Sequence, residues 1–99
     1  MAKILKLIKV KVYGKVQGVY FRDTTQAVAE ILSIRGTVEN REDGSVYAEA
    51  EGDKFSIDEF IDWCNEGPED AVVERVEVEE GELKNFTNFI IKKGEHPVV

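Results

Sequence analysis

The chain contains one cysteine and one histidine in 99 residues. A single cysteine, Cys64, permits no intramolecular disulfide and no cysteine-rich zinc site. Nucleophilic use of the thiol needs a base close by, and the only histidine, His96, falls in what reads as a frayed tail. Cys64 is therefore expected to be a structural residue of a helix. Long apolar runs are missing as well. Lys3, Lys6, Lys9 and Lys11 interrupt the N-terminal run, so nothing approaches the roughly 18 apolar residues of a membrane span. The same stretch lacks the apolar block and small-residue cleavage site of a secretory signal. Cytoplasm is the expected compartment, with no membrane partner. Basic charge is also scarce, with 13 Lys and Arg against 20 Asp and Glu for a net charge of −7. That balance argues against nucleic-acid binding, which draws most of its affinity from cations meeting phosphates.

What is present suits one soluble core. At 42% hydrophobic content a chain of this length can bury one core but not two, and residues 1–99 are expected to form a single domain with its core at about 8–92. From Ile8 the pattern alternates, with Ile8, Val10 and Val12 on one face and Lys9, Lys11 and Tyr13 on the other, which predicts a half-buried strand. Phe21, Thr25, Val28, Ala29 and Leu32 recur at helical spacing, predicting a first helix from Arg22 to Ser33 or Ile34. Two alternating runs follow, either side of Asp43-Gly44, a strong hairpin signal. If Val38 faces the core, Asn40 faces it too, because side-chain direction repeats every second residue. Ile57, Phe60, Ile61 and Cys64 mark a second helix, for which Asp53 is the preferred cap and Ser56 with Glu59 the competitor. Gly67-Pro68 ends it. Val72, Val76 and Val78 suggest a fourth strand whose start is blurred, and Phe89 to Ile91 a last short one. The order predicts an α+β, ferredoxin-like βαββαβ sandwich, an antiparallel sheet with two helices on one face.

Few residues are left for chemistry. Glu77, Glu79 and Glu80 read as a solvated charge run, and no His, Cys, Asp and Glu group has metal-ligand spacing, so no metal is expected. Ser45 and Ser56 have no histidine partner for a triad. What remains is the segment Gly14-Lys15-Val16-Gln17-Gly18-Val19-Tyr20-Phe21-Arg22 between the first strand and the first helix. Its glycines let backbone N–H groups turn inward, and the helix start adds unpaired donors and the positive end of a dipole. Arg22 in the first helical turn opposes that dipole, which points either to an anion facing both or to an exposed arginine paired with Asp23.

Taken with Gly36-Thr37-Val38-Glu39-Asn40 and Asp43-Gly44-Ser45-Val46, this segment resembles the acylphosphatase family. The similarity continues through Gly52-Asp53, Phe60-Ile61-Asp62-Trp63, Gly67-Pro68 and Phe89-Ile90-Ile91. The resemblance implies hydrolysis of an acyl phosphate to a carboxylate and inorganic phosphate, with no cofactor and no metal. It implies that Arg22 binds the phosphoryl group and that Asn40 orients the attacking water. The backbone amides of Val16, Gln17, Gly18, Val19, Tyr20 and Phe21 would hold the remaining oxygens, and the substrate's own phosphate would take the proton. Arginine suits the role because its planar fork of donors matches phosphate oxygens. The chain departs from the family at Tyr20 and Ser33, where glycine is frequent, and at Thr37, where an aromatic residue is common. Asp23 and Glu39 add negative charge beside the two site residues. The expected partners are a small acyl phosphate and phosphate, acting on a monomer. The competing reading is a ferredoxin-like binding module without turnover, holding RNA or protein on an open sheet face that carries Tyr13 and Tyr47.

Overall fold

The computed structural model describes residues 4–93; His96 lies outside them. The elements are β1 (Leu5–Lys15), α1 (Phe21–Ile31), β2 (Arg35–Asn40), β3 (Val46–Asp53), α2 (Lys54–Glu66), β4 (Val72–Gly81) and β5 (Phe89–Ile91). The sheet order is β4-β1-β3-β2-β5. The first four strands pair antiparallel, as a βαββαβ sandwich requires, and β5 joins β2 in parallel. The parallel edge follows from the route of the chain. β4 ends opposite Leu7, and the next strand begins opposite Gly36, so the chain crosses one end of the sheet and rises beside β2 in β2's own direction. Among the described residues no helix is long and apolar enough to cross a membrane.

The core forms between the helices and one sheet face. Ile8, Val10, Val12, Val38, Val46, Ala48 and Ala50 meet Phe21, Ala29, Ile57, Phe60 and Cys64. The alternation that predicts the strands and the helical spacing that predicts the apolar stripes both lead to this layer. Burial pushes the Cys64 thiol up to about 12, so at neutral pH it is a protonated core group and not a thiolate. For α2 the two cap readings resolve in favour of Asp53, whose carboxylate accepts from the Phe55 and Ser56 N–H groups. The Ser56 hydroxyl also bonds Asp53, at 3.0 Å, which leaves the alternative capping box unmade.

α1 ends at Ile31, short of the expected Ser33 or Ile34, and two strands depart from the sequence pattern for identifiable reasons. β1 starts at Leu5 rather than Ile8, because the strand keeps pairing with β3 as far as Asp53. In β4, Val73 rather than Val72 packs against the core, and Val72 is exposed. The cause is a register shift opposite Tyr13 and Gly14, where Gly14 pairs with Val73 and Tyr13 with Arg75. The extra residue, Glu74, reverses the phase and breaks the alternation. Gly14 is required at this bulge, since a Cβ there would stand 2.1 Å from the Val72 carbonyl oxygen.

A further difference concerns charge. Glu51, in the same phase of β3 as Tyr47 and Glu49, is only 8% exposed. Its oxygens accept the backbone N–H groups of Lys84 at 2.7 Å, Asn85 at 3.1 Å and Phe86 at 2.8 Å. This one carboxylate clamps the segment that carries the chain from β4 across to β5. Periodicity carries no trace of it, because the three donors lie on main chain more than thirty residues away.

The end of α1 generates the first prediction. Ser33 takes a left-handed φ of 57°, with its N–H donating to the Glu30 carbonyl and the Ile34 N–H to the Ala29 carbonyl, the Schellman pattern in which glycine is favoured. The left-handed region costs a non-glycine residue about 1–2 kcal/mol, and glycine loses about 0.5–1 kcal/mol of that advantage to unfolded-state freedom. Ser33→Gly should raise stability by about 0.5–1 kcal/mol, read as a higher urea midpoint at unchanged slope. Glu51→Ala should lower stability by about 2–3 kcal/mol, since three main-chain donors lose a charged acceptor. Hydrogen exchange at residues 84–86 should accelerate with it, and unchanged exchange would refute the clamp.

Candidate active site

The loop between β1 and α1 is held by its apolar side chains. Val16, Val19 and Phe21 are buried, and the Phe21 ring lies 5.2 Å from that of Trp63 on α2, tilted by 53°. With three anchors in six residues, the path of the intervening backbone is fixed from below. Gly18 and Tyr20 make the turns, at φ of 74° and 61°. Tyr20 is the N-cap of α1 yet gives it no side-chain cap bond, so its side chain leaves the first-turn N–H donors untouched. Its own carbonyl is well used, accepting the Thr24 N–H at 3.1 Å and the Thr24 hydroxyl at 2.9 Å. A tyrosine in this conformation costs about 1–2 kcal/mol relative to glycine, and Tyr20 is 67% exposed.

Arg22 is half-buried in the first turn of α1, next to the exposed Asp23. Asn40 is the last residue of β2 and is 1% exposed. It shares the helix-covered face with Val38, as the two-residue repeat predicts, and it pairs with Val46, which pairs in turn with Val12 of β1. Three residues past Val12 β1 ends and the loop begins. Asn40, the loop and the start of α1 therefore occupy one end of the sandwich. Asn40 is engaged with its surroundings, and its buried Oδ1 atom retains capacity to accept a hydrogen bond.

The Gln17 side chain joins the two halves, a contact that the sequence pattern does not reveal. Its Nε2 donates to the carbonyl oxygens of Arg41 at 2.8 Å and Ser45 at 2.9 Å. These lie either side of the β2–β3 turn, directly after Asn40. Inside that turn the Arg41 N–H donates to Ser45 O and the Gly44 N–H to Arg41 O. Asp43 accepts from the Ser45 hydroxyl at 2.5 Å and from its N–H at 3.0 Å, and pairs with Lys11 at 3.0 Å.

Of the two neighbouring negative charges, Glu39 is directed away from Asn40, while Asp23 stays exposed beside Arg22. Glu39, one residue before Asn40, lies in the opposite phase of β2, with Arg41 at 3.7 Å and Lys92 at 3.6 Å. Thr37 shares its phase. Among the described residues no three of His, Cys, Asp and Glu form a group able to hold a metal ion. A cavity of about 420 Å³ lies at the other end of the sheet, lined by Leu5, Arg35, Glu51, Leu83 and Phe86 among others. Neither Arg22 nor Asn40 contributes to it. The site end thus offers an arginine, a buried amide and a turn of main-chain donors, a set suited to an anion of several oxygens and to a water beside it.

Comparison with known proteins agrees with this chemistry. A family model described as Acylphosphatase matches residues 8–91. An acylphosphatase of Rubrobacter xylanophilus is 51% identical over 79 residues, which are 80% of this chain and 72% of that one. One from Thermotoga petrophila is 43% identical over 88 residues, 89% of this chain and 98% of its own. Among solved structures, an acylphosphatase from Coxiella burnetii superposes with a TM-score of 0.86 at 38% identity, covering 89% of this chain and 93% of that one.

The turn beside Asn40 has a pH signature. The Ser45 hydroxyl, the Lys11 ammonium and the Ser45 N–H together hold the Asp43 carboxyl well below the ordinary carboxylate range. A carboxyl with a depressed folded-state pKa contributes stability above its unfolded value, about 3.9, and loses it as pH falls toward the folded value. The difference in urea midpoint between the parent protein and Asp43→Asn should be constant above about pH 5 and shrink below about pH 4. A difference that stays level down to pH 2.5 would refute the assignment.

Proposed function

The chain belongs to the acylphosphatase family and hydrolyses acyl phosphates, and on that premise we propose that Arg22, Asn40 and the backbone N–H groups of residues 16–21 carry the reaction. The observation that supports this most is the strand register, which brings Asn40 and the Gly14–Arg22 segment to one end of the sandwich. The phosphoryl group sits in the turn of the loop, with N–H groups and the Arg22 fork on its non-bridging oxygens. Asn40 holds a water in line with the bond from phosphorus to the carboxylate oxygen. The water oxygen bonds to phosphorus, the phosphorus–carboxylate bond breaks, and the carboxylate leaves with the electron pair. A phosphate oxygen of the substrate takes the proton.

Such a reaction asks little of a protein beyond position and charge. The carboxylate of a mixed anhydride leaves readily, so no strong general acid is needed, and phosphoryl transfer rests on positioning and electrostatic stabilisation. Donors fixed before the substrate arrives cost no reorganisation as charge builds in the transition state. We take residues 1–99 as one catalytic unit, a cytoplasmic monomer acting on small molecules. The binding-module reading finds little platform on the open face. Arg75 lies 4.1 Å from the Tyr13 ring centroid and Arg41 lies 4.1 Å from that of Tyr47, while the two hydroxyls are bonded to Glu77 and Glu49. Rings already stacked by the chain's own guanidinium groups offer less to a nucleobase.

The protein should hydrolyse benzoyl phosphate in the presence of excess EDTA, with inorganic phosphate as a competitive inhibitor. Arg22→Gln and Asn40→Ala should each lose about 100-fold to 1,000-fold in kcat/KM, the scale for removing a transition-state donor, at unchanged circular dichroism. Arg22→Gln should also weaken phosphate inhibition, whereas Asn40→Ala should preserve it. Full activity in either variant would remove that residue from the mechanism.

A further inference from the structure

We propose that the Gln17 side chain is a positioning residue that sets the distance between the phosphate loop and Asn40, an inference that rests on the site assignment above. Its two hydrogen bonds run from the middle of the loop to both sides of the β2–β3 turn, at 2.8 Å and 2.9 Å. They connect parts of the chain 24 and 28 residues apart. One acceptor is the carbonyl of Arg41, the residue that follows Asn40.

Neither acceptor needs Gln17 for its own satisfaction. Arg41 O already takes the Gly44 N–H at 3.1 Å, and Ser45 O already takes the Arg41 N–H at 2.9 Å. A buried carbonyl with one good bond is not an unsatisfied group. The turn is further braced by Asp43 with Ser45 and Lys11, and the loop by the buried Val16, Val19 and Phe21. Each half has its own anchors apart from Gln17. What the amide adds is a tie between two separately built bodies, aimed at the junction where one carries the phosphoryl donors and the other the water-orienting amide. A side chain in that place has little to do for folding and much to do for relative position. An in-line attack is sensitive to that position, and a misplacement of about 1 Å costs on the order of 100-fold in rate.

The test is a double-mutant cycle on kcat with benzoyl phosphate, using the parent protein, Gln17→Ala, Asn40→Ala and the double variant, together with calorimetric titration of each with inorganic phosphate. Gln17→Ala should lower kcat by about 10-fold to 100-fold, with KM and phosphate affinity changed by less than about threefold and the urea midpoint close to the parent's. In the Asn40→Ala background the same change should cost less than about twofold, because the water it helps to align is no longer held. Gln17→Asn, which keeps the amide on a shorter arm, should recover part of kcat. Multiplicative losses in the cycle would overturn the coupling and leave the roles of Arg22 and Asn40 standing. So would phosphate affinity falling in step with kcat. An Asn40→Ala variant with full activity would overturn both readings. Should Gln17→Ala fail to fold, Gln17→Met, which preserves length and removes both donors, runs through the same cycle.

Discussion

Register along the central strand decides where Asn40 falls. Val12 pairs with Val46, and Val46 pairs with Asn40, so a single row of the sheet links the end of β1 to the end of β2. A slip of one residue in the β2–β3 pairing would move Asn40 from the helix-covered face to the open face, because side-chain direction alternates. The register is protected by what it buries. Ile8, Val10 and Val12 face the core opposite Ala50, Ala48 and Val46, and a shifted strand would put Lys9 and Lys11 in their place. Burying an unpaired ammonium costs several kcal/mol. The hydrophobic pattern that makes the sheet is therefore also what aims the amide.

The loop obeys a different constraint. No ladder holds residues 16–20, so their path must be determined by side chains and by dihedral preferences. Val16, Val19 and Phe21 fill the core below, the left-handed turns at Gly18 and Tyr20 bring the chain back to the helix start, and the Gln17 amide fastens the loop to its neighbour. Glycine at position 20 would be the less strained choice. The local cost at Tyr20 is held in place by Thr24 on its carbonyl, and such departures from ideal backbone geometry persist only where the surrounding structure over-determines them.

How far the sequence reads ahead of the structure depends on whether a feature is periodic. The strands around Ile8 and Val38, the helix stripes through Phe21 and Ile57, the Asp43-Gly44 turn and the shared face of Val38 and Asn40 all arise from local spacing, and all are legible. The fifth strand's parallel partner is not, because it depends on the path the chain takes across the sheet end. Val73 in place of Val72 is hidden by a bulge whose cause, Gly14, lies on another strand. Glu51 and the Gln17 side chain are invisible for a common reason. A carboxylate or amide that binds main-chain groups far away in sequence leaves no pattern, since every residue type supplies the same N–H and C=O. Gln17 can be named from the loop for its backbone, but its side chain speaks only once the hairpin is in place.

Net charge poses the remaining question, since a chain of −7 must receive an anion. Coulomb repulsion between exposed charges fades over a Debye length, about 8 Å at physiological ionic strength, so the distribution of charge matters more than its sum. Beside Asn40 that distribution is favourable, whereas Asp23 stays exposed next to Arg22. Asp43 is paired with Lys11, and Glu39 is flanked by Arg41 and Lys92 in the opposite phase of β2. Lys84 meets Glu49 at 2.6 Å on the same open face. The run of Glu77, Glu79 and Glu80 lies on β4, separated from β2 by two intervening strands. Arg22 stands in the first turn of α1, and Glu39, Asp43, Glu49, Glu77 and Glu80 are each held in an ion pair. The short-range field governs binding, and the long-range one sets only how often the encounter occurs. Acidity of the whole is compatible with anion recognition because the carboxylates nearest Asn40, Glu39 and Asp43, are each paired with a cation.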